Sequence, residues 1–156
     1  MAKANIAELA LELGRQMAEM KNYLRQYIQV KIKENDLNIT FELLEIMSLL
    51  WTKDGINQQE LAAVAVRDKS SITYLIDNLV KRNLVTRIED QNDRRNKIIY
   101  LTKEGKQLHK QVYPWVIEMY AKATGNVEAT EIGEAMGLIK KMNQNLKEQT
   151  IIKAGK

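Results

Sequence analysis

Apolar residues recur at steps of three and four from Ile6 to Ile32, through Ala10, Leu13, Met17, Met20, Leu24, Tyr27 and Ile28, with charged and amide residues between them. That period predicts one amphipathic helix, several turns longer than the globular average. A stripe of this length needs a partner surface that the adjacent sequence does not offer, so it predicts a subunit interface. Asn35, Asp36 and Asn38 interrupt the pattern, and Thr40 then caps a second helix over residues 41–52, with Ile39 and Leu44 as a hydrophobic staple. Its apolar face carries Leu43, Leu44, Met47, Leu50 and Trp51.

Lys53, Asp54 and Gly55 supply a turn, Gly55 being the residue suited to a left-handed backbone. Asn57 caps a third helix, with Glu60 expected to reach back in a capping box and Ile56 paired with Leu61; this helix ends near Ala65 or Val66. Asp68 caps a fourth, running to about Arg82, with Ile72, Leu75, Ile76 and Leu79 as its buried stripe. Its opposite face shows Lys69, Ser70, Thr73, Tyr74, Asp77 and Lys81. Residues 84–89 and 97–101 then read as two strands joined by the polar loop 90–96, too long for a two-residue hairpin turn.

Thr102 caps a fifth helix extending towards Ala123, and Pro114 inside it predicts a kink rather than a break. Thr124, Gly125 and Asn126 end it. A sixth helix follows, stepping through Ile132, Ala135, Ile139, Met142 and Leu146, a seam suited to helix pairing. Residues 151–156 read as a loose tail whose Ile151 and Ile152 are placed to dock on a partner. The fold class is therefore mainly α with a small β-wing: a winged helix-turn-helix over residues 40–101, flanked by N- and C-terminal helices that form a dimerisation region.

Composition narrows the chemistry. The 156-residue chain is 45% hydrophobic, enough to bury a core in one domain of ordinary size. Without cysteine there are no disulfides, no thiolate nucleophiles and none of the usual structural zinc sites. One histidine, His109, expected at the surface of the fifth helix, offers no metal cluster. With no phosphate-binding glycine loop and no paired carboxylates of recognisable spacing, an enzyme is disfavoured, and neither cofactor nor metal is expected. No apolar run is long enough to span a bilayer and the start has no secretory leader pattern, which predicts a cytoplasmic protein. The net charge of +4 suits a polyanionic partner without requiring one.

The order helix, turn, helix, strand, loop, strand supplies what the charge does not. In such units the first residues of the second helix reach base edges in the major groove. That singles out Lys69, Ser70, Ser71, Thr73 and Tyr74, with Arg67 and Lys81 at the two ends. Taken alone these cations are a solvated helix face; in the winged context the balance turns towards DNA. Arg94 and Arg95 at a hairpin tip make a minor-groove probe, since that groove concentrates negative potential. Asp93 is expected to hold Arg95 in a bidentate salt bridge. Met17, Met20, Met47, Trp51, Trp115 and Met119 read first as core and interface, and only second as walls of a ligand pocket.

Several strings in this order resemble the MarR family of bacterial transcription regulators. They are Ile39-Thr40, Asn57-Gln58-Gln59-Glu60-Leu61-Ala62, Asp68-Lys69-Ser70-Ser71-Ile72-Thr73, Leu79-Val80-Lys81-Arg82-Asn83-Leu84-Val85, Asp93-Arg94-Arg95 and Leu101-Thr102-Lys103-Glu104-Gly105. The resemblance implies a single domain over residues 1–156, with residues 1–35 and 103–150 interlocking into a homodimer around the winged lobe. It implies a regulator, usually a repressor, that becomes nucleoid-associated on binding a pseudo-palindromic duplex with its recognition helices about 34 Å apart. A small aromatic effector is also implied, for which Tyr23, Tyr27, Met47, Trp51 and Tyr113 are the candidate contacts. Two departures stand out: Asn83 where the family often has glycine, and Tyr74 where a basic residue is common. The alternative is a winged helix used for protein contact or weakly specific, architectural DNA binding.

Overall fold

The computed structural model describes the backbone of residues 5–154 and side chains as far as residue 150. Along these residues run α1 (Ile6–Glu34), α2 (Phe41–Thr52), β1 (Ile56–Asn57), α3 (Gln58–Val64), α4 (Lys69–Lys81), β2 (Val85–Glu89), β3 (Lys97–Leu101), α5 (Lys103–Ala123) and α6 (Ala129–Ala154). Helix starts fall where a short polar side chain accepts an amide that the first turn leaves unpaired. Thr40 accepts from Leu43 at 3.3 Å, Asn57 from Gln59 at 2.8 Å, Asp68 from Ser71 at 2.7 Å and Thr102 from Gly105 at 3.0 Å.

Two local expectations need correction. Glu60 does not complete a capping box; its carboxylate takes Lys53 Nζ at 2.8 Å. Asn57 lies in a strand and the neighbouring ammonium offers Glu60 a full charge. That strand, β1, was not expected: two residues cannot display an alternating pattern, and pairing with β3 creates it. The sheet has the order β1-β3-β2, antiparallel throughout, with Ile56 opposite Ile99, Val85 opposite Leu101 and Glu89 opposite Lys97. Asp54 ties the turn before β1 to the sheet, its Oδ1 accepting from Gly55 N at 2.9 Å and from Leu101 N at 2.8 Å.

The chain divides into two compact units, Met1–Met119 and Tyr120–Lys156. In the first, Ile46, Met47 and Leu50 of α2, Leu61 of α3, Ile72, Ile76 and Leu79 of α4, Val85 of β2 and Ile99 of β3 are fully buried together. Each such side chain contributes about 1.5–3 kcal/mol by leaving water. Three turns of this unit hold non-glycine residues at positive φ: Asp36 at 49°, Val66 at 53° and Asn83 at 56°. Asparagine tolerates that region; a β-branched valine does not do so without strain. Of α1, only Ile28 is buried, while Ile6, Leu9, Leu11, Met17, Met20 and Tyr23 remain exposed. Helix α5 runs through Pro114 unbroken.

In the second unit, Thr124 closes the preceding turn by donating to the Tyr120 carbonyl at 2.8 Å, and Glu131 accepts from Glu128 N at 2.8 Å as α6 begins. Helix α6 continues to Ala154, so the tail expected from residue 151 is largely helical, its favourable i,i+4 ladder outlasting the apolar seam. The side chains of Ile151 and Ile152 lie outside the described residues. Ile132, Met136, Leu138 and Leu146 are exposed, and α6 has no buried residue among those described. Among the described residues no helix is long and apolar enough to cross a membrane.

Candidate nucleic-acid interface

Helix α4 owes its orientation to its own buried stripe: Ile72, Leu75, Ile76 and Leu79 face the core, which turns Lys69, Ser70, Tyr74 and Lys81 outward. The first turn is fixed by Asp68. Hydrogen bonds from the Ser71 amide and then the Ser70 hydroxyl hold its carboxyl below the usual carboxylate range. Its negative charge is thus turned into the helix end rather than towards an approaching polyanion. Thr73 is less free than the sequence suggested, since its hydroxyl donates to the Lys69 carbonyl at 2.8 Å and accepts from Gln58 Nε2 at 3.2 Å. Tyr74, 68% exposed, is the largest free side chain on this face.

Arg67 sits in the turn before α4 and is half-buried. Glu45 of α2 holds it at 3.3 Å and also meets Lys21 of α1 at 3.6 Å. The residue read as a cation for DNA is therefore tethered to the lobe's first helix. The wing loop is closed by Asp90 N to Asn96 O at 3.0 Å and Asn96 N to Asp93 O at 2.9 Å. A single Asp93 oxygen, Oδ1, accepts both the backbone amide of Arg95 at 3.0 Å and its Nε at 3.3 Å. The expected bidentate fork is not formed, because that oxygen is already committed to the local turn. Both terminal nitrogens of Arg95 are left without a partner among the described residues, on a side chain that is 91% exposed. Arg94 is exposed beside it.

Between α3, α4 and the wing lies a cavity of about 620 Å³ lined by Gln58, Thr73, Arg67, Lys69, Arg87, Arg95 and Lys97 among others. Of these, Gln58, Arg87 and Lys97 were not singled out from the sequence. Arg87 is the most informative omission. It projects from β2 to Asp77 of α4 at 2.5 Å, and its buried Nε, like Gln58 Oε1, has no hydrogen-bond partner among the described residues. A cation at a strand position is a poor signal in sequence; only the pairing of wing and helix gives it a place. Lys97 is joined to Glu89 across the hairpin at 2.6 Å.

The residues read as a ligand pocket lie in different surroundings. Met47 is fully buried in the lobe core, where volume alone accounts for it, and Tyr23 is exposed on α1. Tyr27 lies beneath the Lys31 ammonium, 5.7 Å from its ring centre. Trp51 and Tyr113 meet through His109, whose ring stacks on Trp51 at 4.8 Å and meets Tyr113 edge-on at 5.2 Å. His109 is accordingly half-buried rather than a free surface residue: Trp51 is fixed by donating Nε1–H to the Gly105 carbonyl at 2.9 Å, one turn away on α5.

A family model described as the MarR family matches residues 39–97, from the start of α2 to the first residue of β3. Over these residues the chain matches the MarR family. It is 34% identical over 86 residues to the HTH-type transcriptional regulator FarR of Neisseria gonorrhoeae, a match that covers 55% of this chain and spans 59% of FarR. The crystal structure of a MarR transcriptional regulator from Methanosarcina mazei Go1 superposes with a TM-score of 0.77 at 25% identity, covering 87% of this chain and 96% of that one. A mutant MarR from E. coli complexed with operator DNA shares the fold, with a TM-score of 0.73 at 23% identity over 89% of this chain and 99% of that one. The class these similarities assign is that of a DNA-binding transcriptional regulator with a winged helix-turn-helix.

Proposed function

We propose that the protein is a cytoplasmic repressor that binds a pseudo-palindromic operator as a homodimer, its whole length acting as one MarR-like domain. The observation that carries this reading is the distribution of charge. Asp68, Asp77, Asp93 and Glu89 around the recognition helix and wing are each taken up by a cap or a cation, while Arg95 extends unpaired terminal nitrogens into solvent. Lys69, Ser70, Ser71, Tyr74 and Lys81 would meet the major groove and its phosphates, with Arg94 and Arg95 in the adjacent minor groove. The exposed apolar stripes of α1 and α6 support the dimer, in which residues 1–35 and 103–150 interlock.

Selection from a random duplex library tests the reading. Two-fold half-sites about 10 base pairs apart should be enriched, with affinity falling steeply as salt rises. In a reporter assay the protein should lower transcription from a promoter that overlaps the selected site. Equal affinity for all duplexes would favour an architectural role, and no binding at low salt would sink both DNA readings. Leu13→Asp should yield a monomer with weakened operator binding; a soluble dimer of wild-type size would contradict the assembly.

Release by a small aromatic effector is a second part of the proposal. The cavity lined by Arg67, Lys69, Arg87, Arg95 and Lys97, with its unpartnered Arg87 Nε and Gln58 Oε1, favours an aromatic carboxylate bearing a hydroxyl group. Salicylate titrated into the protein–DNA complex is the first probe: release that Arg87→Met abolishes supports the cavity, whereas release unchanged by that substitution points instead to the aromatic cluster of Trp51, His109 and Tyr113.

A further inference from the structure

One carboxylate on the recognition helix is out of place for a surface that meets a polyanion. Asp77 follows Tyr74 by three residues and Thr73 by four, so it shares their face of α4. With Asp68, Lys69, Ser70, Thr73 and Tyr74 it lines a shallow hollow on that face, and its side chain is 48% exposed. Its Oδ1 accepts from Arg87 Nη2 at 2.5 Å. Its other oxygen accepts no hydrogen bond among the described residues. Arg87 in turn is only 27% exposed and rises from β2, so it cannot swing freely away from this partner.

We propose that Asp77 is a specificity-determining residue that reads the exocyclic amino group of a cytosine in the major groove, and that Arg87 is its positioning residue. The inference rests on the reading of α4 as the recognition helix. Its chemistry is direct. A carboxylate is an acceptor with no proton to give, and the cytosine N4 amine is the donor that a pyrimidine presents in that groove. A free carboxylate there is repelled by phosphates; one already paired with a guanidinium keeps a lone-pair direction for the base while its charge is offset. At the same level of the helix the hydroxyl of Thr73 is engaged within the protein, and that of Tyr74 can donate as well as accept. With Asp68 spent on the cap of α4, Asp77 is the carboxylate further along this face that keeps an acceptor to spare, and unlike a hydroxyl it can only accept.

The test compares wild type, Asp77→Ala, Asp77→Asn and Arg87→Met in competition binding against a half-site library randomised one position at a time. Wild type should prefer a C·G pair at one position of each half-site. Asp77→Ala should lose that preference by roughly tenfold or more while its affinity for random duplex rises, since a negative charge has been removed. Asp77→Asn, which keeps the shape, should move the preference at that position towards adenine, whose N6 and N7 suit a side-chain amide. Arg87→Met should weaken the preference without abolishing it and lower affinity for random duplex. Retention of every base preference in both Asp77 variants would overturn the proposal, as would a loss that is uniform across all sequences. A wild-type protein with no base preference anywhere would instead count against the operator-binding reading itself.

Discussion

The winged lobe and the terminal helices solve the same problem, hiding apolar surface, in different ways. In the lobe, α2, α3, α4 and the sheet meet within one chain and leave Ile46, Met47, Leu50, Leu61, Ile76, Leu79 and Ile99 with no exposure. In α1 and α6 the periodicity is as regular, yet Ile6 is 82% exposed, and Leu146 66%. Periodicity therefore states which face will be buried, not what will bury it. The lobe's stability is written into a single copy, whereas that of the terminal helices depends on an additional surface, the proposed second subunit.

Substitutions can press on this contrast. The largest effect is expected in the lobe core, where Leu79→Ala removes a fully buried side chain and should cost about 3–4 kcal/mol in urea unfolding at any protein concentration. A cost below 1 kcal/mol would mean that the lobe does not carry its own stability. Next comes Gly105→Ala on the first turn of α5. A β-carbon there would lie 2.2 Å from the Leu84 carbonyl oxygen, which is backbone and cannot rotate away. The expected loss is about 2–3 kcal/mol, read in the same experiment. Val66→Gly should act in the opposite direction. At φ 53° and 91% exposed, Val66 has strain and little burial to offset it, so glycine should stabilise the lobe by about 1 kcal/mol. A destabilised Val66→Gly protein would show that this turn is not strained.

The smallest effects are those of pH, and they separate the two regions by sign. Asp68 is held below the usual carboxylate range by the Ser71 amide and Ser70 hydroxyl. Its stabilising contribution is complete above the unfolded value and is lost as pH falls through the depressed folded one. Lys31, joining α1 to Glu118 of α5 at 3.1 Å, is raised above the ordinary lysine range mainly by that hydrogen bond. Its contribution is complete below the unfolded value and lost as pH rises through the raised folded one. Amide exchange followed from acid to alkali should therefore loosen the first turn of α4 at the acid end and the contact between α1 and α5 at the alkaline end. Asp68→Asn should remove the first dependence while keeping a capping side chain.

Much of the lobe was legible because its signals are local. Thr40, Asn57, Asp68 and Thr102 each cap a helix from their own side chains, and the strand over residues 97–101 is bounded by polar residues on one side and a cap on the other. The misreadings share one cause: another part of the chain competed for the same atoms. Glu60 was drawn to Lys53, Thr73 was claimed by Gln58, and His109 was stacked between Trp51 and Tyr113. Arg87, a central cation of the candidate interface, was passed over because its partner, Asp77, is ten residues away and its neighbours in the cavity come from α3 and the wing.

The sequence by itself determined the order of elements, the caps that start the helices and the stripes that turn inward, because those depend on residues within one or two turns of each other. Tertiary structure alone decided which polar groups remain free to meet DNA. Asp93 gives one oxygen rather than two, Thr73 has its hydroxyl engaged within the protein, and Asp77 keeps one acceptor because Arg87 has taken the other. It also decided why residue 105 is glycine, since only the approach of Leu84 shows that no side chain fits there. A hydrogen-bonding group has few partners to give, and which ones it has already given depends on segments far apart in the chain.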